Sequence, residues 1–250
     1  MKVSIVTAVM NRADTIEHAV RSVQRQSHRD LEHVIQDGGS RDDTVGIIKR
    51  LSDSRTRLVS EPDEGIYDAI NRGIERSTGD VVGLLHSDDF FPHEEVIARI
   101  AAAFEDPTVD AVYGDLDYVS AVDPDRIVRR WRAGEVSPAK IRHGWMPPHP
   151  TMCLRSSVFR DYGLYDTSFE IAADYDAILR YFGTGKLRST YLPEVLVKMR
   201  LGGASNKSLE HIIKKSKEDL RALRQNSIGG YGALLLKNVS KIGQFIVRNR

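Results

Sequence analysis

Short apolar segments alternate with amphipathic segments through the first 104 residues, and this alternation constrains the fold more than any other feature. The apolar segments predict four buried strands, over Lys2–Ala8, Leu31–Gln36, Arg57–Ser60 and Val81–Leu85. Apolar residues at helical spacing predict four helices. The first begins at Asp14 or Thr15, the second begins at Asp42 and Asp43, and the other two cover Ile66–Ser77 and His93–Phe104. This order predicts an α/β fold with a mainly parallel sheet and right-handed crossovers.

The second half of the chain is less regular. Short strands are predicted over Ala111–Tyr113, Leu116–Val119 and Ile127–Trp131, and helices over Ala172–Phe182 and Leu209–Arg224. Residues 144–150 contain three prolines, which continue neither a helix nor a strand ladder, so this segment is predicted to be a loop.

The composition is that of an ordinary globular protein, with 41% hydrophobic and 28% charged residues among 250. Cys153 is the single cysteine, which excludes an intramolecular disulfide and a multi-cysteine zinc site. No apolar run reaches eighteen residues and the N-terminus lacks signal-peptide features, so we expect neither a transmembrane helix nor a leader.

The formal net charge of +1 hides an asymmetry, because residues 205–250 carry ten basic and three acidic residues. That basic segment indicates an anionic partner surface.

Ligands of parallel α/β sheets bind at the carboxyl ends of the strands, where this sequence places carboxylates. No glycine follows the first strand and no P-loop motif occurs, which excludes two common nucleotide-binding fingerprints. Asp37, followed by two glycines, either contacts a ligand or caps its own turn, and both interpretations stay open. Asp88 and Asp89 repel each other unless a cation or hydrogen-bond donors are present, which favours a Mg²⁺ or Mn²⁺ site over a helix cap.

Seven stretches, in their order and spacing, carry a resemblance to a known family. They are Val3–Thr7 with Asn11 and Arg12, Gln36–Ser40 with Asp43 and Thr44, Ser60–Gly73, Gly79–Asp80 through Ser87–Asp89, Pro148–Thr151, Ala173–Asp176, and Lys198–Arg200 with Gly202 and Gly203. Over residues 3–206 the chain resembles the family 2 glycosyltransferases, inverting enzymes of the Rossmann-like GT-A fold. It is most similar to bacterial members that build O-antigen and exopolysaccharide repeat units.

The resemblance implies a donor site and a metal site. The implied donor-binding residues are Thr7, Asn11, Asp37, Asp68, Asn71, Arg72, Asp88 and Arg200. Asp37 would accept a hydrogen bond from the uracil N3–H, and Arg200 would close over the phosphates. Asp89, with Asp88, would bind Mn²⁺ or Mg²⁺. His86 stands where many relatives have an acid, and we interpret it as a packed core histidine rather than a softer metal ligand.

The resemblance also implies an acceptor site. Asp174 would be the catalytic base, with a helix cap as the alternative interpretation. Asp176 would contact the acceptor or serve the structure. Trp145 and His149 flank the proline-rich loop and would bind the acceptor, although a tryptophan packed in the core is an equal alternative for Trp145.

The C-terminal segment is predicted to be an amphipathic helix. Leu235, Val239, Ile242 and Ile246 recur at helical spacing beside Leu236 and Phe245, while Lys237, Lys241, Arg248 and Arg250 occupy other faces. Such a helix either packs on its own domain or a second subunit, or lies on an anionic membrane. The resemblance favours the membrane, and a homodimer stays possible.

The predicted function is therefore transfer of one sugar from a UDP-sugar to a lipid-diphosphate-linked saccharide at the cytoplasmic face of the inner membrane, in surface polysaccharide synthesis. We expect a GT-A domain over 1–206, divided into a nucleotide-sugar-binding half (1–104) and an acceptor-binding half (105–206), and a basic helical tail over 207–250. We expect no nucleic-acid partner. A sugar nucleotidyltransferase is one alternative, but Val9–Arg12 lacks the required glycine-rich loop. A degenerate nucleotide-sugar-binding module is another.

Overall fold

A computed structural model describes residues 1–202 and 209–240, which form a mixed sheet flanked by helices. The strands are β1 (Val3–Val9), β2 (Leu31–Asp37), β3 (Thr56–Ser60), β4 (Val81–Leu84), β5 (Ala111–Val119), β6 (Ile127–Trp131), β7 (Cys153–Arg155) and β8 (Ser189–Arg200). The helices in these ranges are α1 (Ile16–Gln24), α2 (Thr44–Leu51), α3 (Ile66–Arg76), α4 (Val96–Ala103), α5 (Pro138–Arg142), α6 (Ser156–Tyr162), α7 (Ala173–Phe182), α8 (Leu209–Gln225) and α9 (Tyr231–Ser240). His149–Thr151 forms a 3₁₀ turn.

The sheet has the order β3-β2-β1-β4-β7-β5-β6, and β8 also pairs with β5. Strands β1 to β4 run parallel to one another, and β8 runs parallel to β5. Strand β6 is antiparallel to β5, and β7 is antiparallel to both β4 and β5. The prediction of a mainly parallel sheet is confirmed. The chain runs outward from β1 to β3 and then returns to place β4 on the other side of β1. This reversal opens a crevice at the carboxyl ends of β1 and β4, where ligands of such sheets bind.

Two strands and two helices of the second half were not predicted, namely β7, β8, α5 and α6. Strand β7 has only three residues, too few for a periodic signal. Strand β8 contains Pro193, which interrupts a strand pattern. The register shifts from Gly114 opposite Leu192 to Asp115 opposite Val195, so Pro193 and Glu194 bulge out of the ladder. The two segments predicted over 111–113 and 116–119 are therefore one strand that crosses a bulge.

Two hydrophobic clusters cover the two faces of the sheet. One includes Val3, Ile5 and apolar residues of α1 and α4. The other joins the opposite face to α3 and α7 and takes in Ala222 and Leu223 of α8 and Ala233 of α9. The helices after residue 206 thus share the core of the sheet, and the proposed boundary at that point stays a prediction.

In helix α9 a basic side chain faces the domain and two apolar side chains face outward, contrary to the predicted amphipathic pattern. Lys237 is 1% exposed, with its Nζ 2.8 Å from Asp219 Oδ1 and 3.1 Å from the centroid of the Tyr175 ring. The expectation that Lys237 belongs to an outward basic face was wrong, because a buried carboxylate and an aromatic ring compensate its lost hydration. Leu235 and Leu236 are exposed. The side chain of Val239 and all of residues 241–250 lie outside the described residues.

Glu32 on β2 links the amino ends of the strands. Its Oε1 accepts hydrogen bonds from Ser4 Oγ at 2.5 Å and from the Thr78 backbone at 2.6 Å. Its Oε2 lies 2.9 Å from Lys2 Nζ. Burial alone would raise the pKa of Glu32, but these donors outweigh it and lower the pKa to about 2. Folding is therefore coupled to ionisation of this carboxylate.

We expect Glu32→Gln to lower the free energy of unfolding at pH 7 by about 2 kcal/mol, because hydrogen bonds to a charged group are lost. The folded pKa lies below the ordinary value, so the stabilisation is present above pH 4.5 and disappears as the pH falls towards 2. Urea unfolding at pH 7 and pH 3 should show the difference between wild type and variant shrinking at pH 3. Glu75→Gln, at an exposed position of α3, is the control. An equal difference at both pH values would contradict the coupling.

Candidate active site

The structure gathers several predicted residues where strands end. Asp37 ends β2, Asp88 and Asp89 follow β4, Arg200 ends β8, and Asp174 lies in the first turn of α7. Arg200 is hydrogen-bonded to the Asp88–Asp89 segment and His149 to His86, two residues after β4, while His149 Nδ1 lies 3.2 Å from Asp174 Oδ2. The sheet crevice and the start of α7 therefore form one site.

Asp89 is the most strongly perturbed carboxylate of this site. Only 1% of the residue is exposed, its Oδ1 accepts the Arg200 backbone N–H at 3.2 Å, and its buried Oδ2 has no hydrogen-bond partner. Burial, reinforced by the charge of Asp88, raises the pKa of Asp89 well above its usual range, against the opposing charge of Arg200. Arg200 also donates from Nε to the Asp88 carbonyl at 3.0 Å and contacts His18. A buried carboxylate oxygen without a donor is a place for a cation.

The donor set at this point fits a hard divalent cation. Asp89 Oδ2 lacks a partner and Asp88 is the next carboxylate along the chain. Within residues 1–202 and 209–240, no group of three His, Cys, Asp or Glu side chains is placed to hold a metal. Mg²⁺ and Mn²⁺ are commonly held by one or two carboxylates while phosphates and water complete the coordination. Asp88 and Asp89 match that arrangement.

Asp174 is joined to the end of β4 by two imidazole rings. His149 Nδ1 lies 3.2 Å from Asp174 Oδ2, and His149 Nε2 lies 3.0 Å from His86 Nε2. Burial would raise the pKa of Asp174, but His149, Lys215 and the buried Lys237 together lower it below the usual value. Desolvation lowers the pKa of His149 to about 4, although Asp174 opposes the shift. At neutral pH the pair is a carboxylate beside a neutral imidazole.

The loop before Asp174 is fixed from two sides. Ala172 occupies the N-cap position of α7 and offers no capping side chain. Glu218 of α8 takes that role, because its Oε2 accepts the backbone N–H groups of Ile171 at 2.9 Å and Ala172 at 3.0 Å. From α3, the Tyr67 hydroxyl donates to the Ile171 carbonyl at 2.7 Å. The position of Asp174 therefore depends on α3 and on α8.

Asp37 holds the loop after β2. Its Oδ2 accepts Gly39 N–H at 3.1 Å, Ser40 N–H at 3.0 Å and Ser60 Oγ–H at 2.7 Å, and the residue is fully buried. The turn-capping interpretation is thus realised, and contact with uracil stays a prediction. Asn11, at a positive φ of 52°, accepts the Arg41 backbone N–H at 2.9 Å and so joins the ends of β1 and β2.

A profile of the family described as Glycosyl transferase family 2 matches residues 4–164. The chain belongs to this family. A glycosyltransferase of Mycobacterium tuberculosis strain H37Rv, named as uncharacterised, is 34% identical over 183 residues, which are 71% of this chain and 68% of the relative. The PGL/p-HBAD biosynthesis glycosyltransferase of the same strain is 29% identical over 215 residues, 81% of this chain and 78% of the relative. The protein is therefore a glycosyltransferase.

Solved structures agree with the GT-A fold. The 1–349 fragment of Staphylococcus aureus TarS, in complex with UDP-GlcNAc, superposes with a TM-score of 0.65 at 17% identity, over 91% of this chain and 66% of that one. A mannosyltransferase from Pyrobaculum calidifontis, in complex with GDP-Man and Mn²⁺, superposes with a TM-score of 0.66 at 16% identity, over 100% of this chain and 76% of that one. At these identities the likeness concerns the fold.

Two residues that were predicted to bind the sugar-nucleotide donor make hydrogen bonds within the protein. Thr7 is fully buried, and its hydroxyl donates to the Leu85 carbonyl at 2.7 Å. Asn71 bonds the backbone of Tyr165 with both ends of its amide, at 2.8 and 3.0 Å, and so ties α3 to the chain before α7. Both side chains are already bonded within the protein, and the donor roles predicted for them stay predictions.

The acceptor predictions for Asp176 and Trp145 change. Asp176 is buried and bonds Arg180 Nε and Asn226 Nδ2, each at 2.8 Å, so it is a structural residue. Trp145 donates from its indole to the Ala133 carbonyl at 2.9 Å and packs against the core, which is the second of its two interpretations.

Arg72 and Asp68, two further predicted donor residues, stay partly accessible on α3. Arg72 is 30% exposed, and its guanidinium lies 2.8 Å from Asp68 and 3.3 Å from Glu61. This partly exposed ion pair on α3 is available to an anionic ligand. Gly203, which belongs with Gly202 to the last of the matching stretches, lies outside the described residues.

Two residues and one contact of the site carried no usable signal in the sequence. Tyr67 lies inside a matching stretch, but its contact with the loop before α7 depends on the tertiary fold. Glu218 lies 46 residues from Ala172, on a helix that reads as polar and solvated. The contact between His86 and His149 joins residues 63 apart.

We expect Glu218→Ala to lower kcat by up to about 100-fold, the cost of misplacing a reacting group by roughly 1 Å. The variant should also lose about 1 kcal/mol of stability through the missing cap. Steady-state kinetics of donor turnover, with the KM of the donor unchanged, is the measurement. Glu210→Ala, at an exposed position of the same helix, is the control. A folded Glu218→Ala protein with wild-type kcat would show that α8 does not position Asp174.

Proposed function

We propose that the protein transfers one sugar from a UDP-sugar to a saccharide acceptor with inversion at the anomeric carbon. The observation that carries the proposal is the buried carboxylate of Asp174, connected through His149 and His86 to the segment that follows β4 and contains Asp88 and Asp89. A site of this kind offers a base on one side and an anchoring point for a diphosphate on the other.

The proposed reaction is one displacement. The acceptor hydroxyl oxygen bonds to the anomeric carbon while the bond from that carbon to the diphosphate oxygen breaks. The electron pair of the broken bond leaves with the nucleoside diphosphate, and the hydroxyl proton passes to Asp174. The lowered pKa of Asp174 keeps this carboxylate ionised and ready at neutral pH.

Two groups on the leaving side would stabilise the departing diphosphate. Arg200 sits directly against the Asp88–Asp89 segment, and Arg72 lies on α3 with part of its guanidinium exposed. A divalent cation held by Asp88 and Asp89 would neutralise charge that develops on the leaving group. The Mn²⁺ in the mannosyltransferase of similar fold supports a divalent ion, and we propose Mn²⁺ or Mg²⁺ here.

The donor nucleotide is proposed to be UDP. The TarS fragment is named in complex with UDP-GlcNAc and the mannosyltransferase with GDP-Man, so the fold accommodates more than one nucleotide. Asp37 supports UDP, because its Oδ1 accepts only Ser40 Oγ–H among the hydrogen bonds described, and a carboxylate is a good acceptor for an imide N–H. Opening of the loop after β2 would be required for that contact.

We further propose a lipid-linked acceptor at an anionic membrane surface, the cytoplasmic face of the inner membrane, in surface polysaccharide synthesis. The segment that forms helices α8 and α9 is rich in basic residues. The same helices expose the apolar side chains of Ile212, Ile213, Tyr231, Leu235 and Leu236. No helix in the described ranges is long and apolar enough to span a bilayer. Apolar and basic side chains on one surface are what an interfacial helix requires. A second copy of the chain is the alternative occupant.

A release assay tests the donor and metal together. We expect slow, Mn²⁺-dependent release of UDP from one sugar nucleotide among UDP-glucose, UDP-galactose, UDP-GlcNAc and UDP-GalNAc, and none from GDP-mannose. Asp89→Asn should raise the Mn²⁺ concentration for half-maximal release by at least about 10-fold, since a carboxylate ligand is lost. Asp125→Asn, at an exposed site, is the control. No release from any donor, together with no rise in Tm on adding UDP and Mn²⁺, would overturn the proposal.

A further inference from the structure

Two imidazole rings meet beside Asp174, and neither has the surroundings of an ordinary core histidine. The ring of His86 contacts that of His149 edge to face, with centroids 5.2 Å apart and the two Nε2 atoms at 3.0 Å. The other nitrogen of His149 faces Asp174 Oδ2 at 3.2 Å. The three side chains form a line from the end of β4 through the 3₁₀ turn at His149 to the start of α7.

The protons of this line follow from its contacts. A carboxylate has no proton to share, so the Nδ1 of His149, 3.2 Å from Asp174 Oδ2, carries the proton of the neutral imidazole. A neutral His149 then has a lone pair on Nε2, and the contact at that atom must come from a donor. His86 therefore presents an Nε2–H to His149. This assignment holds whichever protonation state the Nδ1 of His86 adopts.

We propose that His149 is a positioning residue for Asp174, and that His86 holds His149 in the tautomer this role requires. The inference rests on the proposed function, because it assumes that Asp174 is the base. It changes the earlier assignment of His149 as an acceptor-binding residue, since both ring nitrogens are already engaged within the protein.

The arrangement distinguishes the two oxygens of Asp174. His149 Nδ1 lies 3.2 Å from Oδ2, whereas the Tyr67 hydroxyl reaches Oδ1 at a long 3.5 Å. That hydroxyl donates to the Ile171 carbonyl at 2.7 Å. Oδ1 thus keeps a lone pair that can receive the proton of the acceptor hydroxyl, while the contact at Oδ2 restricts the rotation of the carboxylate.

The pairing also accounts for His86. An acid at this position would face His149 Nε2, which is a lone pair when Nδ1 donates to Asp174, so two acceptors would meet. A histidine supplies the N–H that the pair needs. His86 and His149 are therefore expected to depend on each other.

The test uses the full chain and five variants in the donor-release assay. His149→Asn keeps an N–H near the position of Nδ1, whereas His149→Leu removes it. We expect His149→Leu to lower kcat by about 10- to 100-fold with an unchanged donor KM, the usual cost of losing a group that orients another, and His149→Asn to recover most of the loss. His143→Leu, at an exposed position of the same segment, is the control. Binding of UDP with Mn²⁺, measured by the rise in Tm, checks that each variant is folded.

His86→Leu separates a role in the histidine pair from a role in metal binding. We expect a lower kcat with an unchanged Mn²⁺ concentration for half-maximal release, and an increase in that concentration would overturn the part of the proposal that concerns His86. Equal losses in His149→Asn and His149→Leu, or a wild-type kcat in His149→Leu, would overturn the role of His149. Asp174→Asn separates a failure of the proposed function from a failure of the role of His149. A fully active Asp174→Asn protein would refute Asp174 as the base, whereas an inactive one leaves the role of His149 to be decided by the His149 variants.

Discussion

The site depends on holding carboxylates at the edge of a sheet where water is largely excluded. An isolated charge in such a place is unfavourable, so each carboxylate needs its own compensation. Asp37 is satisfied by the loop that it caps, and Asp174 by His149 and the nearby ammonium groups. Asp89 is compensated only in part, since Arg200 reaches one oxygen and the other has no partner. Asp89, whose charge is compensated least, is therefore the residue at which a divalent cation fits best.

Residues beyond the matched family segment complete this site. The family profile ends at residue 164, yet Asp174 and the helix that places it come later in the chain. Helix α8 caps α7 through Glu218, and α9 buries the ammonium of Lys237 behind the same helix, where it contributes to the low pKa of Asp174. The C-terminal helices therefore help to position Asp174, besides any surface that they offer to a membrane or a partner.

Much of the first half was predictable, because strands buried on both faces and amphipathic helices leave strong periodic signals. Asp88, Asp89 and Asp174 could be singled out from strand ends and family resemblance. Three polar side chains singled out as site residues, Thr7, Asn71 and Asp176, share one feature: each is bonded to a partner distant in sequence. Local pattern does not reveal such partners. The same limit hid the contact of His86 with His149.

The central claim is a single displacement that uses Asp174 as the base. The most direct measurement is the configuration of the sugar released from its UDP donor, followed by proton NMR before the free sugar mutarotates, with water in place of the acceptor. The account predicts that the first product has the opposite anomeric configuration to the donor. Release with the donor's own configuration would contradict it, because retention requires a second displacement.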